Sequence, residues 1–291
     1  MRRAAMWLFV IMIVSYGVAY SAVKDLNINW SDLGGLSVND GIVLMSDAEK
    51  EELIEEKTVS VTGLKALTID SISSDIHVIS ESRTDVYVQL KGYYKNDPGY
   101  TPPKLNITEV GNVVKIEIEH KKSILGLDRL SLDLLVIVPE SYKDKVVIET
   151  TSGDIDVQSG VYTSLDIETV SGKIETLGTD AEQANIASTS GHINLRDFMG
   201  ELNAETISGN LDIQLEKVTS DVEISSISGD VELSVPQTEA FGVNISSTSG
   251  KVQSDHELRI EKASDHKLIA EKGDSESMMK ISTISGDVNV R

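Results

Sequence analysis

Seven Ser-Gly pairs recur in one register through the second half of the chain, ending at Gly153, Gly172, Gly191, Gly209, Gly229, Gly250 and Gly286. Their intervals are 19, 19, 18, 20, 21 and 36 residues. A period in this range is the signature of a solenoid, in which each copy is one supersecondary unit stacked on the next. With glycine numbered zero, position −7 reads Val146, Leu165, Ala184, Leu202, Val222, Val243, Met279, and position −5 reads Ile148, Ile167, Ile186, Ala204, Ile224, Ile245, Ile281. Position +2 reads Ile155, Ile174, Ile193, Leu211, Val231, Val252, Val288, while +1 and +3 are polar or charged. That is period-two alternation on both sides of the glycine, so each copy is two short strands joined at a corner. The seven glycines are the structural turns, where the corner requires a positive φ or close backbone approach.

An eighth copy stands much earlier. Leu67, Ile69, Ile76 and Val78 occupy the apolar columns and Ser74 replaces the glycine. The excursion from Ser80 to Lys145 is then inserted into, or stacked upon, the same helix. One rung buries too few side chains to offset the ordering of its own backbone, so stacking is obligatory. The 36-residue interval holds "HELRIEKASDHKLIAEKGDSES", His256–Ser277, which reads as a polar hairpin or loop that shields the terminal sheet edge. Aromatics make up only 4% of the chain, which suits many short strands rather than a helical globule. The expected fold is all-β: a single-stranded parallel β-solenoid with a β-rich N-terminal portion, preceded by one transmembrane helix.

That helix is expected from the N-terminus, where Arg2 and Arg3 precede twenty uncharged residues, Ala4–Val23. Twenty such residues span a bilayer, and the two arginines hold the N-terminus on the cytoplasmic side. Residues 1–23 are read as an anchor, with signal cleavage and secretion as the alternative. Residues 24–57 read as a stalk, in which Ser46 and Glu49 form a capping box ahead of a short acidic helix, "EKEELIEEK". Residues 58–145 are the β-rich N-terminal part, with a hairpin turn at Glu109–Asn112, and 146–291 are the repeat solenoid with a polar insertion at about 255–277. The expected location is a single-pass cell-membrane protein with its C-terminal domain outside.

The formal charge of −21 repels phosphate and sets nucleic acid aside, and the absence of cysteine removes disulfides and thiolate chemistry. The five histidines form no H-x-x-x-H or H-E-x-x-H pattern, so no metal or other cofactor is expected. Carboxylates recur on outward columns: Glu149, Glu168 and Glu205 at −4, and Asp156, Glu175, Asp212 and Glu232 at +3. With rungs about 4.8 Å apart such neighbours approach the spacing used by retaining glycosidases. A solvated acidic ladder has the same spacing, however, and no Lys, Arg, His or Tyr cluster stands beside these positions to tune a general acid. Asp154, Asp156, Glu175, Asp212, Asp230 and Glu232 are instead the candidate acidic binding face, suited to a cationic envelope component or peptide.

The Thr/Ser-x-Ser array at −3 and −1, from Thr150 and Ser152 to Thr283 and Ser285, shares the phase of −5 and −7 and is expected to point inward as hydrogen-bonding ladders. Position −2, with Val170, Ile207, Ile227 and Ile284, falls outside by strict alternation. Its β-branched residues favour packing into the corner, with cover by another segment or a partner-binding stripe as alternatives.

The stretches "LLVIVPESYKDKVVIETTSGDIDV" and "MKISTISGDVNVR" resemble the bacterial putative-adhesin family of domains of unknown function, which includes LiaG-like envelope proteins. The resemblance extends over about Thr58–Arg291. It implies an extracytoplasmic, often membrane-anchored β-solenoid with a link to envelope stress, no established catalysis and no functional residues to carry over. The expected function is therefore a non-enzymatic, monomeric, adhesin-like binding or structural module, with a carbohydrate-active β-helix enzyme as the alternative.

Overall fold

A computed structural model describes residues 50–95, 101–119 and 131–291. The apolar run 4–23 and the remainder of residues 1–49 lie outside the described residues, and with them the expected anchor. Among the described residues every regular element is a strand, and no helix is long and apolar enough to cross a membrane.

The N-terminal strands are β1 (Lys50–Ser60), β2 (Ala66–Ser71), β3 (Asp75–Glu81), β4 (Asp85–Lys95), β5 (Lys104–Val110), β6 (Val113–Glu119) and β7 (Ser131–Pro139). The regular rungs follow as β8 (Lys145–Ser152) with β9 (Ile155–Gln158), β10 (Val161–Ser171) with β11 (Ile174–Leu177), and β12 (Asp180–Ser190) continuing into β13 (Ile193–Ser208). The second half of β13 begins the next rung with β14 (Leu211–Leu215), followed by β15 (Val222–Ser228) with β16 (Val231–Ser234) and β17 (Phe241–Ser247) with β18 (Val252–Ser254). The chain ends in β19 (Arg259–Ser264), β20 (Lys267–Lys272), β21 (Met278–Ser285) and β22 (Val288–Val290).

The strand before each glycine joins one sheet, B, and the strand after it joins another, A; successive rungs pair in parallel and in register. In sheet B, Ile148, Ile167, Ile186, Ala204, Ile224, Ile281 and Ile245 are aligned partners. In sheet A the aligned set is Ile155, Ile174, Ile193, Leu211, Val231, Val288 and Val252. All of these except Val252 are at most 1% exposed, and each fully buried Val, Ile or Leu contributes about 1.5–3 kcal/mol. The eighth copy holds its register, with Leu67 opposite Val146 and Ile76 opposite Ile155.

Stacking order departs from chain order at both ends. The β2–β3 rung lies between β6–β7 on one side and β8–β9 on the other, so the 80–145 excursion stacks an outer rung on the helix. At the far end β21–β22 lies between β15–β16 and β17–β18. The last rung in sequence is therefore the second to last in space. The chain reaches it through the β19–β20 hairpin, whose β20 runs antiparallel along β17 and covers the edge of sheet B. This is the shielding role expected of His256–Ser277.

Three local expectations are corrected. The acidic helix after Glu49 is a strand: β1 pairs antiparallel along β4, with Leu53, Glu55, Lys57 and Val59 on its more buried side. The period-two pattern and the unpaired edge of β4 outweigh the capping signal, so residues 50–57 of the expected stalk belong to the solenoid body. Positions −3 and −1 do not share a direction: Thr150, Thr169, Ser188, Thr206, Ser226, Ser247 and Thr283 are buried, whereas the −1 serines are exposed. Since −3 and +2 are both buried and five residues apart, the alternation must break once between them, and it breaks at −1. Finally, the −2 stripe is not packed into the corner. It faces outward, with Ile72 46%, Val170 37% and Ile284 54% exposed, while Thr189, Ile207 and Ile227 between them in the stack are half-buried.

Candidate functional site

The Ser-Gly corners stack directly on one another. A Cβ on Gly172, Gly191, Gly209, Gly229, Gly286 or Gly250 falls 1.7–2.1 Å from the carbonyl oxygen of the corner beneath it, in the order Gly153, Gly172, Gly191, Gly209, Gly229, Gly286. A Cβ on Gly153 meets the Ser74 carbonyl at 2.2 Å. Gly209 also has φ +152°, but Gly191 is not in the left-handed region and is just as crowded. Close approach between rungs, rather than φ alone, requires glycine there.

The residue after the glycine completes the corner. Its backbone N–H points along the stack and is met by the side chain of the same position one rung away. Asp75 Oδ1 accepts from Asp154 N–H (2.8 Å), Asp154 Oδ1 from Lys173 N–H (2.8 Å), His192 Nδ1 from Asn210 N–H (3.1 Å) and Asn210 Oδ1 from Asp230 N–H (3.1 Å). Asp230 Oδ1 then accepts from Asp287 N–H (2.9 Å), and Asp287 Oδ1 from Lys251 N–H (2.8 Å). Lys173 has no acceptor, and the chain of bonds skips one rung there. Two of the six candidate acids, Asp154 and Asp230, thus serve the fold with one oxygen each, which is why Ser-Gly is so often followed by Asp or Asn.

The other four, Asp156, Glu175, Asp212 and Glu232, line up on sheet A in one column, with Asn194 between Glu175 and Asp212. Asp156 lies 3.6 Å from His77 Nδ1 and accepts from Gln158 at 2.6 Å; Glu175 pairs with Lys173 Nζ at 2.6 Å, and Glu232 pairs with Arg291. The structure therefore gathers all six acids beside the corner but gives five of them partners, with Asp212 unpaired among the described residues.

On sheet B, Glu149 and Glu168 are aligned on adjacent rungs, and Glu205 is separated from Glu168 by Ala187. Burial raises the Glu168 pKa, with further contributions from the charges of Glu149 and Asp166. Burial also raises that of Glu205, opposed by the Asn203 hydrogen bond and reinforced by Glu223. Neither Glu149 nor Glu168 has a salt bridge or side-chain hydrogen bond among the described residues. Sequence reading weighed this column for catalysis and missed its pairing with an exposed −2 stripe. The signal was present in strict alternation, which places −4 and −2 on one face.

At the opposite corner an open trough of about 520 Å³ crosses several rungs, lined by Val161, Tyr162, Asp180, Ala181, Met199 and Gly200 among others. Its floor is bare where Ala181 and Gly200 succeed Tyr162 in the stack. A Cβ on Gly200 would lie 1.7 Å from the Ala181 carbonyl, so a side chain cannot fill it. The Tyr162 hydroxyl is buried without a hydrogen-bond partner among the described residues, and burial pushes its pKa up to about 12. Among the described residues no group of three His, Cys, Asp or Glu is placed to hold a metal ion.

Parallel rungs with glycine-stacked corners define the class: an all-β solenoid with ladder-like faces. The chain belongs to the Toastrack DUF4097 family, whose model matches residues 144–291, and the resemblance carried by its repeat motifs is confirmed. No curated protein matches the sequence. Among solved structures, one described as a putative cell adhesion protein from Clostridium sporogenes is 14% identical, with 82% of this chain and 99% of that one covered at a TM-score of 0.42. A putative adhesin from Bacteroides fragilis is 12% identical, with coverage of 84% and 99% and a TM-score of 0.43. A putative lipid binding protein from Parabacteroides distasonis is 15% identical, with coverage of 82% and 96% and a TM-score of 0.41.

Proposed function

We propose that this chain is a non-enzymatic, adhesin-like module of the cell envelope, anchored by residues 4–23, with its solenoid on the outer side of the membrane. The observation that carries this reading is the repetition of the outward columns. From rung to rung they present the same positions, and most of the corner acids hold backbone or side-chain partners rather than converging on a reacting centre. Such a surface suits an extended or repeated partner of opposite charge, which a solenoid engages over several rungs at once. Membership of an uncharacterised adhesin-like family is compatible with it.

The enzyme alternative draws on Glu149 and Glu168, adjacent in register on sheet B. A glycosidase needs one carboxyl held protonated beside a charged one, and a raised pKa at Glu168 supplies part of that. No cation or hydrogen-bond donor of the described residues engages either carboxylate to divide the two roles.

The test is protease shaving of intact cells together with a pull-down of envelope components by the full chain. Cleavage within residues 50–291 from outside and capture of an envelope component are expected. A solenoid wholly protected in cells without an outer barrier contradicts the topology. Release of reducing ends from envelope polysaccharide, abolished by Glu168→Gln, supports the enzyme instead.

A further inference from the structure

The outward face of sheet B carries two parallel columns of opposite character. The −2 column runs Ile72, Thr151, Val170, Thr189, Ile207, Ile227, Ile284 and Thr248 in stacking order. Eight rungs at about 4.8 Å make this a stripe roughly 34 Å long. Two residues away along each strand, about 7 Å to the side, stand Glu149, Glu168 and Glu205, with Glu223 in the next column. None of these four carboxylates has a salt bridge among the described residues, whereas Asp70 and Asp166 nearby are matched by Lys115 at 3.4 Å and Lys145 at 2.5 Å. Asp70 belongs to the same −4 column as Glu149, and Glu223 has Lys280 as its register neighbour, so Glu149 and Glu168 are the exposed acids beside the stripe that have no salt bridge among the described residues. The raised proton affinities of Glu168 and Glu205 are consistent with a site that lacks its counter-charge.

We propose that this face docks an amphipathic helix that carries lysine or arginine beside its apolar stripe. The pairing follows from charge and spacing. A helix laid along the solenoid axis presents a turn every 5.4 Å or so against rungs about 4.8 Å apart, a drift of only about 2 Å over four rungs. Flexible Lys and Arg stems absorb such a drift. An extended strand repeats every 6.8 Å or so and loses register at once. Apolar residues at i, i+3, i+4 and i+7 run about 10 Å along the stripe, from Val170 past Thr189 to half-buried Ile207, and cations on one flank reach the exposed Glu149 and Glu168. The inference rests on the binding-module reading and specifies its partner and its face; location in the envelope is measured separately by protease shaving, so either can fail alone.

The experiment titrates the full chain with a fluorescent eighteen-residue Leu/Lys peptide of helical amphipathic pattern, read by anisotropy at low and at physiological salt. Saturable binding is expected at both, with a gain of peptide helicity in circular dichroism. Glu149→Gln with Glu168→Gln is expected to weaken binding about tenfold, as is Ile284→Asn with Val170→Asn. Glu175→Gln with Asp212→Asn on sheet A makes the same change in net charge and is expected to leave binding within about twofold. Thermal melts confirm that each variant is folded, and the conservative carboxamides keep the shape of the face. Four results overturn the proposal: no binding, binding lost at physiological salt, equal weakening by both charge pairs, or equal affinity for a scrambled peptide of the same charge. Preferential capture of a neutral glycan oligomer also overturns it, by assigning the face to another class of partner.

Discussion

Gly209→Ala places a methyl group where the stack has no room. Its Cβ would lie 2.0 Å from the Gly191 oxygen and 2.7 Å from its carbonyl carbon, against the roughly 3 Å or more of a tolerable contact, so the two rungs must part by about 1 Å. Three hydrogen bonds cross this gap: Gly191 N–H to Ser208 O (3.1 Å), Ile193 N–H to Asn210 O (3.0 Å) and Asn210 N–H to His192 Nδ1 (3.1 Å). At about 1 kcal/mol each their loss costs about 3 kcal/mol, and alanine at φ +152° adds about 1–2 kcal/mol. The expected total of about 4–5 kcal/mol lowers the melting temperature by about 8–20 °C for a body of this size. Gly191→Ala, with its Cβ 1.9 Å from the Gly172 oxygen and no left-handed φ, separates the two causes and is expected to cost about 3 kcal/mol. Gly111→Ala is the control for φ alone: φ is +61°, no atom lies within 4 Å of its Cβ, and about 1 kcal/mol is expected. Thermal and urea unfolding of the three variants would refute the reasoning if Gly191→Ala were harmless, or if Gly111→Ala were as damaging as Gly209→Ala.

Asp230→Ala removes the acceptor for the Asp287 N–H and is expected to cost about 1–2 kcal/mol, whereas Asp212→Ala, which breaks no pairing among the described residues, stays within about 0.5 kcal/mol, both measured by urea midpoint. Glu205 is an acid whose folded pKa is raised above the ordinary 4.5, first by burial, so its ionisation opposes folding once the pH exceeds that ordinary value. Glu205→Gln is therefore expected to raise the melting temperature at pH 7, with the advantage disappearing as pH falls to about 4; an advantage independent of pH would show that the charge is not its cause. At the N-terminal edge the Leu105 N–H donates to Glu55 at 3.0 Å and its carbonyl accepts from Lys57 Nζ at 2.6 Å, so charges seal backbone groups of β5. Glu55→Ala with Lys57→Ala is expected to expose that edge to association, seen as a concentration-dependent rise in mass by light scattering.

The rungs were legible because their information is local and repeated. The glycine interval, the −7, −5 and +2 columns and the degenerate copy around Ser74 each specify which residues face inward, and all were recovered in register. The −1 serines depart from the alternation because the corner contains an odd step between −3 and +2 that no local residue pattern marks. The β1 strand was hidden because "EKEELIEEK" is a good helix former, and only the free edge of β4, distant in sequence, selects the strand. Stacking order was not legible, since the last rung carries the same column pattern as every other and nothing local tells it to enter between β15–β16 and β17–β18. Among the candidate acids, position identified the face. Only geometry shows that Asp154 and Asp230 cap backbone N–H groups while Glu149 and Glu168 have no salt bridge or side-chain hydrogen bond among the described residues.

That stacking order is the central structural claim, and the absence of native cysteine allows a direct measurement. Glu232 is the register partner of Asn289, and Asn289 of Gln253; neighbouring rungs set the Cα atoms about 4.8 Å apart, within the range a disulfide spans, while alternate rungs set them about 10 Å apart and outside it. Glu232→Cys with Asn289→Cys is expected to cross-link under mild oxidation, read by non-reducing mobility and peptide mass, and Glu232→Cys with Gln253→Cys to remain free. Cross-linking of the second pair and not the first would mean that the rungs stack in chain order and would contradict the account.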